Sequence, residues 1–386
     1  MPAARSEFFI LAKMNISLNM RLAIPNKMEG IGWYSYEIAR RLIHDHPEVN
    51  FQLLYDRKIP DFEFHQSKNV SAHKLFPPAR RPFLWKYWFN KSVSKFLSEN
   101  ESDIFLSFDG YLSLNTKVKQ ISVIHDLNFE HFPEDMPPTY LAYYQKYFPR
   151  FAKKATRIVT VSEFSKKDIA EQYTIEHDKI EVVPNAVKEG FKEISDQEKQ
   201  KTKEEFADAS DFILFVGSIH PRKNLKRLCE AFDLFKKSHN TGHKLLIVGA
   251  SMWKDSSGEF LNQLSHHEDI VILGRQSQAN VCKITASAEL LAYTSYFEGF
   301  GVPILEAFAS GTPVLCSNTS AMPEVAGKAA VYVDPFDVED IANKLGKTLA
   351  NKALQSTLVS EGKTQLEKFS WDKSAKKMWE LIEKCL

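Results

Sequence analysis

Glu298-Gly299-Phe300-Gly301-Val302-Pro303-Ile304-Leu305-Glu306 follows a short apolar run, 290–295 (LLAYTS), and leads into Ala307 and Phe308 before Gly311 ends the pattern. That order predicts a strand, a glycine turn and a helix. Pro303 suits the first helical turn, where a missing N–H costs nothing. Gly299 and Gly301 let backbone approach a ligand, while the helix start offers N–H groups and a positive dipole. An anion fits there. Glu298 before the helix and Glu306 on its first turn then suit hydrogen bonds to hydroxyls of the same ligand. A glycine-rich turn with a solvated acid on each side has the same spacing, so both readings stand at this point.

Outward from this turn the same rhythm fills the chain. Strands are predicted at 14–19, 51–56, 103–108, 119–125, 157–161 and 180–184, and again at 212–217, 244–249, 270–274, 290–295, 313–316 and 330–333. Amphipathic stretches separate them, the pattern of parallel sheets covered by helices. Residues 188–210 are charged, poor in aliphatics and without a strand, and form the candidate connection between two α/β units. At 386 residues the chain exceeds what one hydrophobic core usually supports, which also argues for two domains. The cleft between such domains is the default ligand site.

A second turn, Gly217-Ser218-Ile219-His220-Pro221-Arg222-Lys223-Asn224, follows the strand 212–217. Arg222 offers a forked guanidinium and Lys223 a point charge, both suited to phosphate oxygens, although a solvated basic turn reads alike. His125-Asp126 closes the strand 119–125; His125 could bond a sugar hydroxyl, with Asp126 holding one tautomer. Glu29-Gly30-Ile31-Gly32 precedes the amphipathic stretch 34–43 and resembles a degraded dinucleotide fingerprint, with Asp56 at the end of the next strand. An NAD(P)-dependent oxidoreductase is therefore a rival reading. Residues 80–97 interleave Arg80, Arg81, Lys86, Lys91 and Lys95 with large aromatics. Trp85, Trp88, Phe89, Val93, Phe96 and Leu97 share one helical face, which fits either a packed core or a surface resting on anionic lipid.

Composition excludes other classes. A formal charge of +1 argues against a dedicated nucleic-acid binder. The four cysteines, Cys229, Cys282, Cys316 and Cys385, lie too far apart for a zinc module and fit reduced thiols. His266-His267 and His44/His46 lack metal-ligand context and read as surface residues. No apolar run is long enough to span a bilayer, and Met1 to Ile10 is too weak for a signal peptide. A cytoplasmic protein is expected, in peripheral contact with the inner membrane face if 80–97 touches lipid. There is no D-x-D triplet, P-loop, G-x-S-x-G elbow or HExxH.

These residues together resemble a GT-B-fold glycosyltransferase of the large retaining family 4. The resemblance spans nearly the whole chain. It rests on Glu29-Gly30-Ile31-Gly32, Val123-Ile124-His125-Asp126, Thr160-Val161-Ser162-Glu163-Phe164-Ser165, Val183-Pro184-Asn185, Val216-Gly217, Pro221-Arg222-Lys223-Asn224 and Gly274-Arg275. Its strongest part is Glu298 to Glu306, continued by Ala309-Ser310-Gly311-Thr312-Pro313-Val314.

The resemblance implies two Rossmann-like domains facing a cleft. An acceptor domain would cover 1–190, with a returning helix at 368–386, and a nucleotide-sugar donor domain 191–367. It implies transfer of a mannose- or glucose-type hexose from a nucleotide-diphosphate sugar to a glycan or lipid-linked acceptor, without cofactor or metal. GDP-mannose is the favoured donor. Glu306 would bond the ribose and Glu298 would sit by the donor sugar. Backbone at Phe300, Gly301 and Val302, with Gly217, Ser218, Gly274 and Arg275, would border the donor. Arg222 and Lys223 would neutralise the diphosphate, and which makes the closer contact is open. Many relatives carry Arg where this chain has Ser218. His125 would lie near the transferred sugar, and Gly30, Gly32 and Asp126 on the acceptor side. A non-catalytic nucleotide-sugar binder keeps the same residues and is the third reading.

Overall fold

The computed structural model describes residues 14–25, 28–250 and 260–386, and the reading of Met1 to Ile10 lies outside them. The chain divides into two units: residues up to Asn185 with Trp371–Leu386, and Ala186–Ser370. In the first, β1 (Asn15–Asn19), β2 (Asn50–Tyr55), β3 (Val70–Lys74), β4 (Ile104–Ser107), β5 (Lys119–Val123), β6 (Arg157–Thr160) and β7 (Ile180–Val182) form one parallel sheet, ordered β3-β2-β1-β4-β5-β6-β7. In the second, β8 (Phe212–Val216), β9 (Lys244–Val248), β10 (Ile270–Gly274), β11 (Leu290–Tyr293), β12 (Val314–Ser317) and β13 (Ala330–Val333) are ordered β10-β9-β8-β11-β12-β13, again parallel. Both are Rossmann-like, with the strand order reversing between β1 and β4 and between β8 and β11.

β8, central in the second sheet, is apolar on both faces; Phe212, Ile213, Leu214 and Phe215 are all fully buried. The sequence reading finds every strand except β3, Val70-Ser71-Ala72-His73-Lys74. That strand lies at the sheet edge and is nowhere fully buried, so it lacks the apolar run that marks its neighbours.

Two expectations change. Residues 188–210, read as the connection between units, lie inside the second unit, which begins at Ala186. As a partly helical reading of the stretch allows, Asp196–Ala207 is a helix, opened by a Ser195/Glu198 capping box and packed on the helix Gln278–Ser287. In Glu29-Gly30-Ile31-Gly32, both glycines belong to the helix Gly30–Asp45, which starts well before 34. A Cβ on Gly32 would come 2.5 Å from the Leu22 carbonyl oxygen, so glycine there serves close packing of the helix on the preceding loop. The closing helix, Trp371–Glu383, lies in the first unit against Gly30–Asp45. Trp371 packs edge-on to Tyr34 at 5.8 Å, Trp379 stacks on His46 at 3.5 Å, and Asp372 pairs with Arg41 at 2.5 Å.

Residues 80–97 divide by face. Trp85, Trp88, Phe89, Val93, Phe96 and Leu97 are buried in the first unit's core, while Phe83, Tyr87 and all five basic residues are exposed.

Candidate active site

Open α/β sheets bind ligands beyond the strand C-termini where strand order reverses. In the second unit that point is the end of β8 and β11. The turn after β8 is tied to the neighbouring loop by backbone: Gly217 N–H donates to Val248 O and Ile219 N–H to Ala250 O, each at 2.9 Å. Pro221–Lys223 makes a single 3₁₀ turn, and Asn224, at φ +60°, bends the chain into the helix Leu225–Ser238. Asn224 Nδ2 also donates to Thr294 O at 3.0 Å, tying the turn to the segment after β11.

This bend aims two cations at one carboxylate. Arg222 Nη1 donates to Glu298 Oε2 at 2.7 Å and to Phe297 O at 3.0 Å. Lys223 Nζ donates to Glu298 Oε1 at 2.7 Å and to Tyr293 Oη at 2.8 Å. Glu298 N–H donates to Ser320 Oγ at 3.0 Å. Burial alone would push the Glu298 carboxyl up; Arg222 and Lys223 outweigh it and hold it at about 2. Burial and the nearby Glu298 raise the Tyr293 phenol well above its ordinary value, so it stays protonated. Two fixed cations against one carboxylate leave this turn net positive, beside the Gly301-capped start of the helix Val302–Ala309.

Glu306 and Glu298 are both buried, which excludes the solvated-acid reading of the turn. Glu306 is the fifth residue of its helix, one turn later than expected. Its Oε1 forms an ion pair with Lys188 Nζ at 2.8 Å, without a well-directed hydrogen bond to that oxygen. Ser218 is half-buried behind Gly217, Gly274 ends β10 and accepts a hydrogen bond from Gly249 N–H at 2.9 Å, and Arg275 is exposed. Phe300 is buried, edge-on to Phe369 at 5.4 Å, while Val302 opens the helix.

In the first unit, His125 Nε2 lies 2.8 Å from the Phe108 carbonyl oxygen. A carbonyl only accepts, so Nε2 carries the proton and Nδ1 is left as the acceptor. Burial lowers the His125 pKa, keeping the ring neutral at pH 7. The tautomer is thus set by Phe108; Asp126 instead accepts from Asn128 N–H at 3.1 Å.

Sequence reasoning missed Tyr293 and Ser320, whose roles depend on which way strand and loop ends point, and Lys188, which it placed in the connection. It also missed Arg21 and Asp109, a buried pair at 2.5 Å where β1 and β4 diverge, with the guanidinium 4.6 Å from the Tyr111 ring centre. His266 is not a plain surface residue, because its Nδ1 contacts Asp233 at 2.8 Å. Among the described residues one group has metal-ligand proximity: Asp211, His243 and Glu289, at the N-terminal ends of their strands. Lys203 and Lys352 already pair with its two carboxylates.

Two family models match the chain: Glycosyltransferase Family 4 over residues 28–190 and Glycosyl transferases group 1 over 196–365. The O-antigen chain mannosyltransferase B of Escherichia coli is 27% identical over 360 residues, covering 90% of this chain and 94% of that protein. The serotype-specific mannosyltransferase WbdA of the same species is 28% identical over 281 residues, 68% of this chain but 33% of WbdA. The crystal structure of WaaG, a glycosyltransferase involved in lipopolysaccharide biosynthesis, superposes with a TM-score of 0.77 at 16% identity, covering 95% of this chain and 99% of WaaG. Fold and sheet topology are therefore those of GT-B proteins. The chain belongs to the family 4, group 1 glycosyltransferases, which sets aside the oxidoreductase reading. Asp56, which that reading needs on a ribose, is fully buried and accepts from Arg57 and from Ala79 N–H.

Proposed function

We propose that the protein is a retaining hexosyltransferase of surface-polysaccharide or glycoconjugate synthesis, with GDP-mannose as the favoured donor and a glycan or lipid-linked hydroxyl as acceptor. The observation that carries this reading is Glu298 held between Arg222 and Lys223 at 2.7 Å on both sides. The mannosyltransferase relatives support the sugar class.

In this reading the second unit takes the donor and the first the acceptor. Glu306 accepts from the ribose hydroxyls and Glu298 from the transferred sugar. Arg222, Lys223 and the N-terminus of Val302–Ala309 stabilise the negative charge on the departing diphosphate. Breaking the C1–O bond to phosphate and forming the C1–O bond to the acceptor on the same face retains configuration. The acceptor proton passes to the leaving phosphate oxygen. Neutral His125 accepts a sugar hydroxyl at Nδ1 and, having no proton there, is not the acid. Fixed cations supply the charge stabilisation that Mg²⁺ provides in other transferases, so the reading is metal-independent.

Among the described residues no helix is long and apolar enough to cross a membrane. Phe76, Phe83 and Tyr87 are 77%, 67% and 54% exposed beside Arg80, Arg81 and Lys86, which supports peripheral contact with anionic lipid at the cytoplasmic face.

The deciding experiment incubates the protein with GDP-mannose, GDP-glucose, UDP-glucose and NAD(P)H, with and without acceptor glycans and with EDTA. Acceptor-dependent GDP release that survives EDTA, with an α-linked product, is expected. Nucleotide binding without turnover on any donor would leave a non-catalytic binder. Full loss of rate in EDTA, restored by one metal, would overturn the metal-independent mechanism.

A further inference from the structure

We propose that Lys188 is a positioning residue for Glu306, holding its carboxylate oriented toward the ribose hydroxyls of the donor nucleotide. This rests on the reading that Glu306 receives the ribose.

The Glu306 side chain is 5% exposed, so little water reaches its charge and a buried carboxylate there needs a partner. A ribose diol brings two O–H donors, which the two oxygens of one carboxylate can accept together. Lys188 Nζ, itself on a side chain only 18% exposed, stands 2.8 Å from Oε1 and supplies the missing countercharge. That buried oxygen has no hydrogen-bond donor directed at it, so its acceptor capacity is unspent. A buried acceptor left this way is costly unless a ligand completes it.

Lys188 is held in place by its surroundings. Its ammonium lies 5.7 Å from the Phe191 ring centre. Gly190 has φ +99°, and a Cβ there would come 3.3 Å from Cys282 Sγ, so the backbone after Lys188 runs close over the helix Gln278–Ser287. The Cys282 thiol is raised by burial first; among the smaller influences Glu306 raises it and Lys188 lowers it, which places all three in one another's field. Cys282 is half-buried, whereas Cys229, Cys316 and Cys385 are buried, so its thiol is a distinguishable reporter of this spot.

Calorimetry of the tighter-binding of GDP and UDP, against its 2′,3′-dideoxy analogue, reads the proposal. The unmodified protein should prefer the ribonucleotide by ~10-fold or more, the worth of hydrogen bonds to a charged acceptor. Lys188→Met should erase most of that preference while changing dideoxy affinity by far less, and Lys188→Arg should restore it. Donor KM should rise with the ribonucleotide Kd, and kcat should fall by less. If Lys188→Met keeps the full preference while Glu306→Gln abolishes it, Lys188 has no positioning role and the ribose reading stands. If Glu306→Gln also keeps it, the ribose reading itself fails. Alkylation of Cys282 by iodoacetamide in the unsubstituted protein gives a readout independent of folding in the variants. Slowing by the nucleotide is expected, and an unchanged rate at saturation would overturn the placement of the ribose beside Lys188.

Discussion

Lys223 Nζ is bound at once to Glu298 Oε1 at 2.7 Å and to Tyr293 Oη at 2.8 Å, on a side chain only 9% exposed. A lysine this buried is fixed in direction and partly stripped of water, so its charge acts more strongly on a neighbouring anion than a surface lysine would. Glu298 is thereby the shared counter-ion of Arg222 and Lys223, and in the proposed reading also the group beside the donor.

Glu298→Gln keeps the shape and removes the charge. Turnover should fall by ~10²–10³ if the carboxylate stabilises the transition state. The thermal midpoint should fall as well, because Lys223 is left buried without its counter-ion, a loss of about 3–5 kcal/mol in comparable buried pairs. Steady-state kinetics and thermal unfolding check both, and unchanged kcat would remove Glu298 from the mechanism.

Gly249 tests how the turn after β8 is held. A Cβ there would sit 1.7 Å from the Gly217 carbonyl oxygen, a contact no side-chain rotation relieves. Gly249→Ala should push the Gly217-Ser218 turn away, cost about 1–3 kcal/mol or more, and weaken nucleotide-diphosphate affinity. Denaturant midpoint and calorimetry read the two effects; wild-type values for both would show the turn is not clamped by this contact.

Acid stability should follow Glu298 and Glu289. Burial opposes ionisation of Glu289, but His243 and Lys352 outweigh it and hold the carboxyl at about 2. A carboxyl depressed in the folded state contributes stability above its unfolded value, and that contribution fades as pH falls toward the folded one. Stability should therefore drop between pH ~4.5 and ~2. Glu289→Gln should flatten the profile across that window, measured by unfolding free energy against pH; an unaltered slope would count against the pairing.

Membrane contact is tested away from the catalytic groups. Co-sedimentation with vesicles containing phosphatidylglycerol should be strong at low salt and weaken as salt screens the charges. Phe83→Ala with Lys86→Glu should reduce it by ~10-fold or more, since each basic residue near an anionic surface contributes about 1 kcal/mol. Binding that ignores both salt and substitution would leave 80–97 as core packing alone.

What the sequence determined by itself was the order of every strand but β3 and which charged residues stand at the strand ends. β-runs such as Phe212-Ile213-Leu214-Phe215 announce buried parallel strands because they are apolar on both faces, and Gly301-Val302-Pro303 announces a helix start by backbone geometry. β3 escaped because an edge strand needs no apolar run. The tertiary structure decided the pairings. Glu298 and Arg222 are 76 positions apart, and only the reversal of strand order between β8 and β11 brings them into contact. Lys188 meets Glu306, and Phe108 rather than Asp126 sets the His125 tautomer, because packing brings together segments distant in sequence. Local spacing specifies dihedral preferences and burial, but which charge neutralises which depends on long-range packing, and periodicity carries no record of it.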